Sequence, residues 1–128
     1  MKTEQPTLII SHPTGTWEDS GLPAPSPFLP KNRIVTLYDT CRLANDGNTG
    51  PFGCVNADSP FSSFASVAVS GVVLVLSSTA ITSYGPLTCD DNGKVRRAGS
   101  PLPPVNELVG YNLDLATGAD QFVRILLK

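Results

Sequence analysis

The C-terminal third of the chain alternates short apolar stretches with turn residues, and this pattern predicts a series of β-strands. Residues 85–99 predict a strand, a tight turn and a returning strand. Asn92-Gly93 supplies two residues that tolerate the positive φ angles of a two-residue hairpin. Two further strands are predicted at residues 107–113 and 121–128, separated by a Gly-Ala-Asp turn. The order of these elements indicates an all-β body.

Both faces of the last predicted strand are mostly apolar. One face carries Val123, Ile125 and Leu127, and the other carries Phe122, Arg124 and Leu126. Side chains alternate between the two faces of a strand, so we expect one face to pack on the core and the other on a partner or a second sheet. In the strand before it, Gly110 indicates a close backbone approach or a bend.

The middle of the chain adds further predicted strands. Residues 33–38 are rich in β-branched and aromatic side chains, and residues 45–53 are a loop by every local criterion. Residues 67–76, the most hydrophobic stretch, predict one or two buried strands with Gly71 at a bulge or bend. Residues 79–84 are predicted as a short strand, and residues 114–118 have room for a single helical turn.

The first 31 residues differ from the rest because they hold half of the twelve prolines: Pro6, Pro13, Pro23, Pro25, Pro27 and Pro30. Proline fixes φ and removes a hydrogen-bond donor, so this segment is predicted to be an extended arm, neither helix nor central strand. We therefore divide the chain into an N-terminal arm (1–31) and a β-barrel body (32–128). The apolar residues of the arm need a surface, which is either its own barrel or a neighbouring subunit. Residues 7–10 are suited to adding a strand to an exposed sheet edge.

Composition limits the partners that this protein can have. Of its 128 residues 16% are charged, a low share that indicates either a surface covered by another chain or a surface of uncharged polar residues. The net charge is −2, and Arg96-Arg97 is the one basic pair, so a nucleic-acid partner is not expected. Residues 67–76 are too few to span a bilayer, so no membrane partner is expected either. Residues 1–6 lack the apolar core of a secretory signal.

Candidate chemistry is sparse. Cys41, Cys54 and Cys89 match no metal or redox spacing, so we expect reduced thiols, with a bridge between Cys41 and Cys54 as the alternative. The single histidine, His12, lies in the extended arm, which is a poor place for a catalytic base. The run that starts at Asp90 lacks the later ligands of a calcium loop. We therefore expect no catalytic residues, no metal and no cofactor.

Residues 66–128 resemble the small capsid cement, or head decoration, proteins of tailed bacteriophages. The resemblance is carried by a Gly-Pro-Leu-Thr-Cys-Asp-Asp-Asn-Gly-Lys-Val-Arg-Arg-Ala segment followed by Glu-Leu-Val-Gly-Tyr-Asn-Leu-Asp-Leu-Ala-Thr-Gly. The matching residues are Leu87, Thr88, Asp91, Gly93, Val95, Ala98, Val109, Gly110, Leu113, Ala116, Val123 and Leu126. The N-terminal half departs from the family pattern, because the proline-rich arm and a glycine-rich insertion replace a long apolar strand.

The resemblance implies a small β-barrel or β-tulip (sandwich) body, frequently a homotrimer, on the outside of an icosahedral shell, with no enzymatic activity. The expected partners are the major capsid protein and further copies of this chain. The expected location is the outer capsid surface of a virion made in the bacterial cytoplasm. Apolar residues of the arm are the predicted capsid contacts: Leu8, Ile9, Ile10, Trp17, Phe28 and Leu29. Apolar strand faces within residues 72–76 and 122–126 are predicted to hold the barrel and the trimer.

Two other functions remain open at this point. A glycan- or receptor-binding β-module of a virion, as on a tail fibre, requires an exposed aromatic platform, and the chain has few aromatic residues. A small hydrolase requires an ordered His12 beside one of the three cysteines.

Overall fold

A computed structural model describes residues 3–22, 28–45 and 47–127 of the chain. The fold is all-β and its main sheet curls strongly into a half-barrel, which confirms the predicted fold class. The strands are β1 (Gln5–Pro13), β2 (Phe28–Leu29), β3 (Ile34–Leu37), β4 (Cys41–Leu43), β5 (Phe52–Val55), β6 (Ser59–Pro60), β7 (Phe64–Leu76), β8 (Pro86–Cys89), β9 (Val95–Arg97), β10 (Gly110–Asn112) and β11 (Phe122–Leu127). The helical elements are α1 (Trp17–Ser20) and a 3-10 turn (Val105–Glu107).

The main sheet is antiparallel and follows the order β4-β3-β5-β7-β11-β10-β8-β9, with β1 added to β7. Strands β2 and β6 form a separate two-stranded sheet. The residue register shows how β7 joins the two halves. Ala68 pairs with both β5 and β1, and Gly71 pairs with both β11 and β1. Strand β1 therefore lies along one edge of β7, while β5 and β11 follow one another along the opposite edge.

Both faces of the sheet bury apolar side chains. Val67 belongs to one core cluster and its neighbour Ala68 to the other, because successive residues of a strand point to opposite faces. Strands β3 and β5 divide in the same way between the two clusters. The larger cluster fills the curl formed by β7 to β11. The smaller cluster is closed by Leu29 of β2 and by the partly buried Ile10 of β1.

The described part of the predicted arm is joined to the body. Strand β1 pairs with β7 from Gln5 opposite Val72 to Pro13 opposite Phe64, so this segment packs on its own chain. The strand was expected at residues 7–10 and is longer. Both prolines of β1 lie near its ends, and β1 is an edge strand, where a missing donor costs little. Pro23, Pro25 and Pro27, which supported the prediction of an extended conformation, lie outside the described residues.

The prediction that the N-terminal segment contains no helix is wrong for one turn. Residues 17–20 form α1, which ends at Gly21 in the left-handed conformation, with φ of 88°. No proline occurs between Pro13 and residue 23, so this stretch keeps the backbone donors that a helical turn requires. The Ser20 hydroxyl donates to the carbonyl of Trp17 at 2.6 Å and closes the turn.

The predicted strand at residues 33–38 and the buried strand at residues 67–76 are confirmed as β3 and β7. Gly71 has a φ of 92°, and a Cβ atom there would lie 2.5 Å from the backbone nitrogen of Thr7. The expected irregularity is therefore the point where β1 passes closest to β7. Gly110 is equally constrained, because its Cβ would collide with the carbonyl oxygen of Leu126.

The predicted hairpin is confirmed as β8 and β9, but its two-residue turn is wrong. Cys89 pairs with Val95, so the loop spans residues 90–94, and only Gly93 of the Asn92-Gly93 pair has a positive φ. The Asp90 carboxylate explains the wider loop. Its Oδ1 accepts the backbone N–H of Asn92 at 2.8 Å and that of Lys94 at 3.0 Å.

Two minor predictions are wrong. Residues 79–84 form no strand, and residues 114–118 form no helical turn. The two segments instead meet at a single antiparallel bridge between Ile81 and Ala116, both buried. The Asp114 carboxylate is bound to Arg124. This contact holds residues 114–118 in an irregular conformation that is incompatible with a helical turn.

Substituting Gly71 tests the junction between β1 and β7. We expect Gly71→Ala to lower the free energy of unfolding by roughly 2 kcal/mol or more, because the new Cβ meets the backbone of β1 at a strained φ. Urea denaturation measures the change. The matched control is Gly118→Ala, where a Cβ meets nothing within 4 Å. Equal stability of the two variants would contradict the role assigned to Gly71.

Candidate functional site

The predicted capsid-contact residues separate into exposed and buried groups. Leu8, Ile9 and Phe28 expose 53%, 45% and 38% of their surface. Ile10 and Trp17 are half-buried. Leu29 is 1% exposed and belongs to the smaller core cluster, so it has no surface to offer a partner. The N-terminal segment therefore exposes Leu8 and Ile9 on β1, called here the β1 patch, and Phe28 separately on β2.

A local irregularity of β1 exposes two adjacent apolar side chains. The pairing with β7 shifts between Pro6 and Leu8 and again between Leu8 and Ile9. A bulge interrupts the alternation of faces, so Leu8 and Ile9 both point away from the core. Ile10, the next residue, packs against the smaller cluster and fixes the strand. The two exposed side chains are thus held on an ordered strand, which reduces the entropy lost when a partner binds.

A second apolar surface lies on the face of β7, β10 and β11 that points away from the larger core cluster. Cross-strand pairs place Leu126 beside Val72 and Tyr111, and Phe122 beside Leu76. We call this surface the outer sheet face and define it as Val72, Leu74, Leu76, Tyr111, Leu113, Phe122, Arg124 and Leu126. The sequence predicted that one side of β11 faces the core without indicating which, and the structure buries Val123 and Ile125 and leaves Phe122 and Leu126 exposed.

An ion pair lies within the outer sheet face. The Arg124 guanidinium donates from Nε to Asp114 Oδ2 at 3.0 Å and from Nη2 to Asp114 Oδ1 at 2.9 Å. The same carboxylate accepts the backbone N–H of Arg124 at 2.9 Å. These hydrogen bonds raise the pKa of Arg124. This bidentate geometry fixes the Arg124 side chain over the sheet, and the carboxylate neutralises its charge there.

The thiols are placed for packing and not for reaction. Cys41, Cys54 and Cys89 are buried and none of them forms a disulfide, so the bridge between Cys41 and Cys54 is absent. Burial raises the pKa of the Cys41 thiol from 9.0 to about 11, and burial also raises the pKa of Cys54. A nucleophilic cysteine requires the opposite shift. His12 donates from Nε2 to the carbonyl oxygen of Tyr38 at 2.8 Å and is thereby tied to the backbone.

Metal binding finds no support in the described part of the chain. No group of three or more His, Cys, Asp or Glu side chains there is arranged to hold an ion. Asp90, the start of the calcium-like run, uses Oδ1 for turn N–H groups, and its Oδ2 accepts the Ser78 hydroxyl at 2.7 Å. Across residues 3–22, 28–45 and 47–127, no helix has the length and apolar character needed to cross a membrane.

A cavity of about 330 Å³ opens beside the β8–β9 hairpin. Its lining includes Arg96, Arg97 and Glu107. The Arg97 guanidinium is already committed, because Nη1 donates to the Pro86 carbonyl at 3.0 Å and Nε donates to the Ser83 hydroxyl at 3.2 Å. These bonds stabilise the hairpin and use two of the five N–H donors of Arg97.

Comparison with known proteins gives no relative: no protein-family model, curated protein or solved structure matches the chain. The resemblance to phage decoration proteins therefore stays a prediction, carried by the residues of the C-terminal half.

The buried thiols predict a dependence of stability on pH. The unfolded Cys41 thiol ionises near 9.0 and the folded one near 11, so the folded state holds its proton longer. The contribution of the Cys41 thiol to the stability of the folded state is complete below pH 9 and is lost as the pH rises toward 11. Urea denaturation at about pH 8 and about pH 10.5 measures how much the free energy of unfolding falls between the two pH values. This fall should be smaller for Cys41→Ala than for the unaltered protein. Equal losses would exclude Cys41 as a contributor.

Proposed function

We propose that this protein is a non-enzymatic capsid cement protein of a tailed bacteriophage. It binds the outer surface of the assembled head and bridges major capsid protein subunits, and it functions as a homotrimer. The observation that carries the proposal is the β1 patch: apolar side chains displayed by an ordered strand that is fixed to a β-sheet body. The resemblance of residues 66–128 to decoration proteins supplies the identity of the partner.

The mechanism follows from binding thermodynamics. A protein that binds the assembled shell and not its dissociated subunits stabilises the shell by mass action, by about 2.7 kcal/mol when its concentration is 100 times the dissociation constant. Bridging matters because each copy then opposes the separation of the subunits it contacts. No step of this mechanism requires a reactive side chain.

The size of the β1 patch suits weak contacts that act together. Leu8 and Ile9 are about half exposed, so covering both is worth roughly 2 kcal/mol when full burial of one such side chain is worth about 1.5–3 kcal/mol. One such contact is too weak to hold a protein on a shell. Three copies joined in a trimer bind with a high effective concentration, which raises the overall affinity without additional contacts. The proposed trimer is therefore functional as well as structural.

The glycan-binding alternative is less well supported by the arrangement of the aromatic rings. Phe122 and Tyr111 are exposed on the same sheet face, but Tyr111 pairs with Leu126, which is four residues along β11 from Phe122. At about 3.3 Å per residue the two rings are separated by roughly 13 Å, too far to stack together on one sugar ring.

Substituting the β1 patch tests the proposed function without removing β1. Deleting the N-terminal segment would be ambiguous, because β1 and Leu29 belong to the fold. We expect Leu8→Glu combined with Ile9→Glu to weaken binding to undecorated phage heads by roughly 100-fold, because two charges replace apolar contact at about 1.4 kcal/mol each. Cosedimentation with heads measures the bound fraction.

The matched control for this experiment is Leu102→Glu combined with Val105→Glu, since these side chains are 61% and 67% exposed but lie outside β1. Circular dichroism should show both variants folded, because all four side chains are exposed. If the unaltered protein does not bind heads, the proposed function fails. If the β1 variant binds as tightly as the control, the contact has been placed on the wrong surface.

A further inference from the structure

The outer sheet face is a continuous row of apolar side chains on a rigid support. Its exposed members Tyr111, Phe122 and Leu126 retain 45–48% of their surface, and Leu113 retains 39%. Phe122 and Leu126 share one side of β11, and the sheet beneath them is held by the fully buried Val123 and Ile125. These side chains are not in a flexible loop, so they offer a partner a preformed surface.

The exposed area fits a specific protein interface. Phe122 and Tyr111 together leave about 200 Å² exposed if an aromatic side chain has roughly 200 Å². Leu113, Leu126 and the half-buried residues of β7 bring the apolar area of this face to roughly 400 Å². A standard interface covers about 800 Å² per partner and is a little more than half apolar, which amounts to roughly 450 Å². The outer sheet face supplies nearly the whole apolar share of such a contact.

The charge of the face favours a second copy over a partner of opposite charge. Arg124 is the one charged residue that the register places on this face of β7, β10 and β11. Its charge is neutralised within the chain by Asp114, whose side chain is 15% exposed. Copies of this face can therefore approach one another around a symmetry axis without repulsion between like charges, which would cost energy if Arg124 were unpaired.

We infer that the outer sheet face is buried against a second copy of this chain. This inference rests on the proposed function for the expected trimeric form, and it identifies the surface through which the copies join. Around a three-fold axis each copy contacts two neighbours, so one part of the outer sheet face packs on a different part of the same face in the next copy. The β1 patch then remains free to bind the shell.

The experiment measures the mass of the full-length protein in the absence of phage heads. Sedimentation equilibrium should give a multiple of 13.5 kDa for the unaltered protein. We expect Leu126→Lys to weaken self-association by at least tenfold, because a charge is placed in the centre of the contact. Phe122→Ser should weaken it by a similar factor through loss of apolar area. Leu102→Lys is the control, since Leu102 is similarly exposed but outside this face.

Each outcome bears on the inference. A monomeric unaltered protein at its highest soluble concentration overturns it, and so does an oligomer whose mass Leu126→Lys and Phe122→Ser leave unchanged. If the unaltered protein and Leu126→Lys are both monomeric and only the variant fails to bind heads, the shell occupies this face. That result overturns the inference, the homotrimer and the contact through the β1 patch, and it leaves standing the proposal that the protein binds phage heads. An oligomer that the two variants dissociate, but that never binds heads, supports the inference and rejects the proposed function.

Discussion

Hydrogen bonding along both edges of β7 is the constraint on which the other elements depend. Strand β1 has its ladder on one edge, and β5 and β11 have theirs on the other. In the described part of the chain, β1 pairs with no other strand. Without β7, β1 would have no partner strand, and β5 and β11 would each keep one partner and leave one edge of backbone groups unpaired, which is unfavourable in a buried setting. The curl of the sheet and both core clusters follow from the course of this one strand.

The same constraint explains why one face of the main sheet exposes apolar side chains. Strand β7 is covered on both edges and buries one core cluster on each face of its first half. In its second half only one face is enclosed, since Val73 and Val75 are fully buried while their neighbours are half-buried. The half-open part continues into β11 and β10, where Phe122 and Tyr111 are exposed. The second half of β7, together with β10 and β11, therefore carries an exposed surface that is largely apolar.

The strands of the C-terminal half could be predicted because their signals are local. Alternation of side chains located β11, and Asn92-Gly93 located the β8–β9 turn. The details that failed have two causes. The Asp90 carboxylate widens the turn by binding backbone groups two and four residues away, a local effect that the preference of Asn-Gly for a tight turn concealed. Asp114 is held by Arg124 on the neighbouring strand, ten residues along the chain, and this contact leaves no local pattern.

The N-terminal half was harder to predict because proline content says what a segment cannot form and not where it lies. Strand β1 satisfies every restriction that proline sets and still joins the sheet, since an edge position tolerates it. The candidate contacts were predicted in the same way. Composition identified apolar residues that needed a surface, but only the bulge after Pro6 decides that Leu8 is exposed, and only the second core cluster decides that Leu29 is not.

Gly71 and Gly53 have a consequence for how β7 finds its alignment. The first half of β7 buries Ala65 and Val67 on one side, and its other side carries Ala68 between the half-buried Ser66 and Ser70. Sliding by one residue would exchange the two sides and place serines in the smaller core cluster. The two glycines oppose sliding as well, because a methyl group at Gly53 would strike Val67 and one at Gly71 would strike β1. The register of β7 therefore depends on the absence of side chains at Gly53 and Gly71, and a one-residue insertion or deletion in β7 would disturb it.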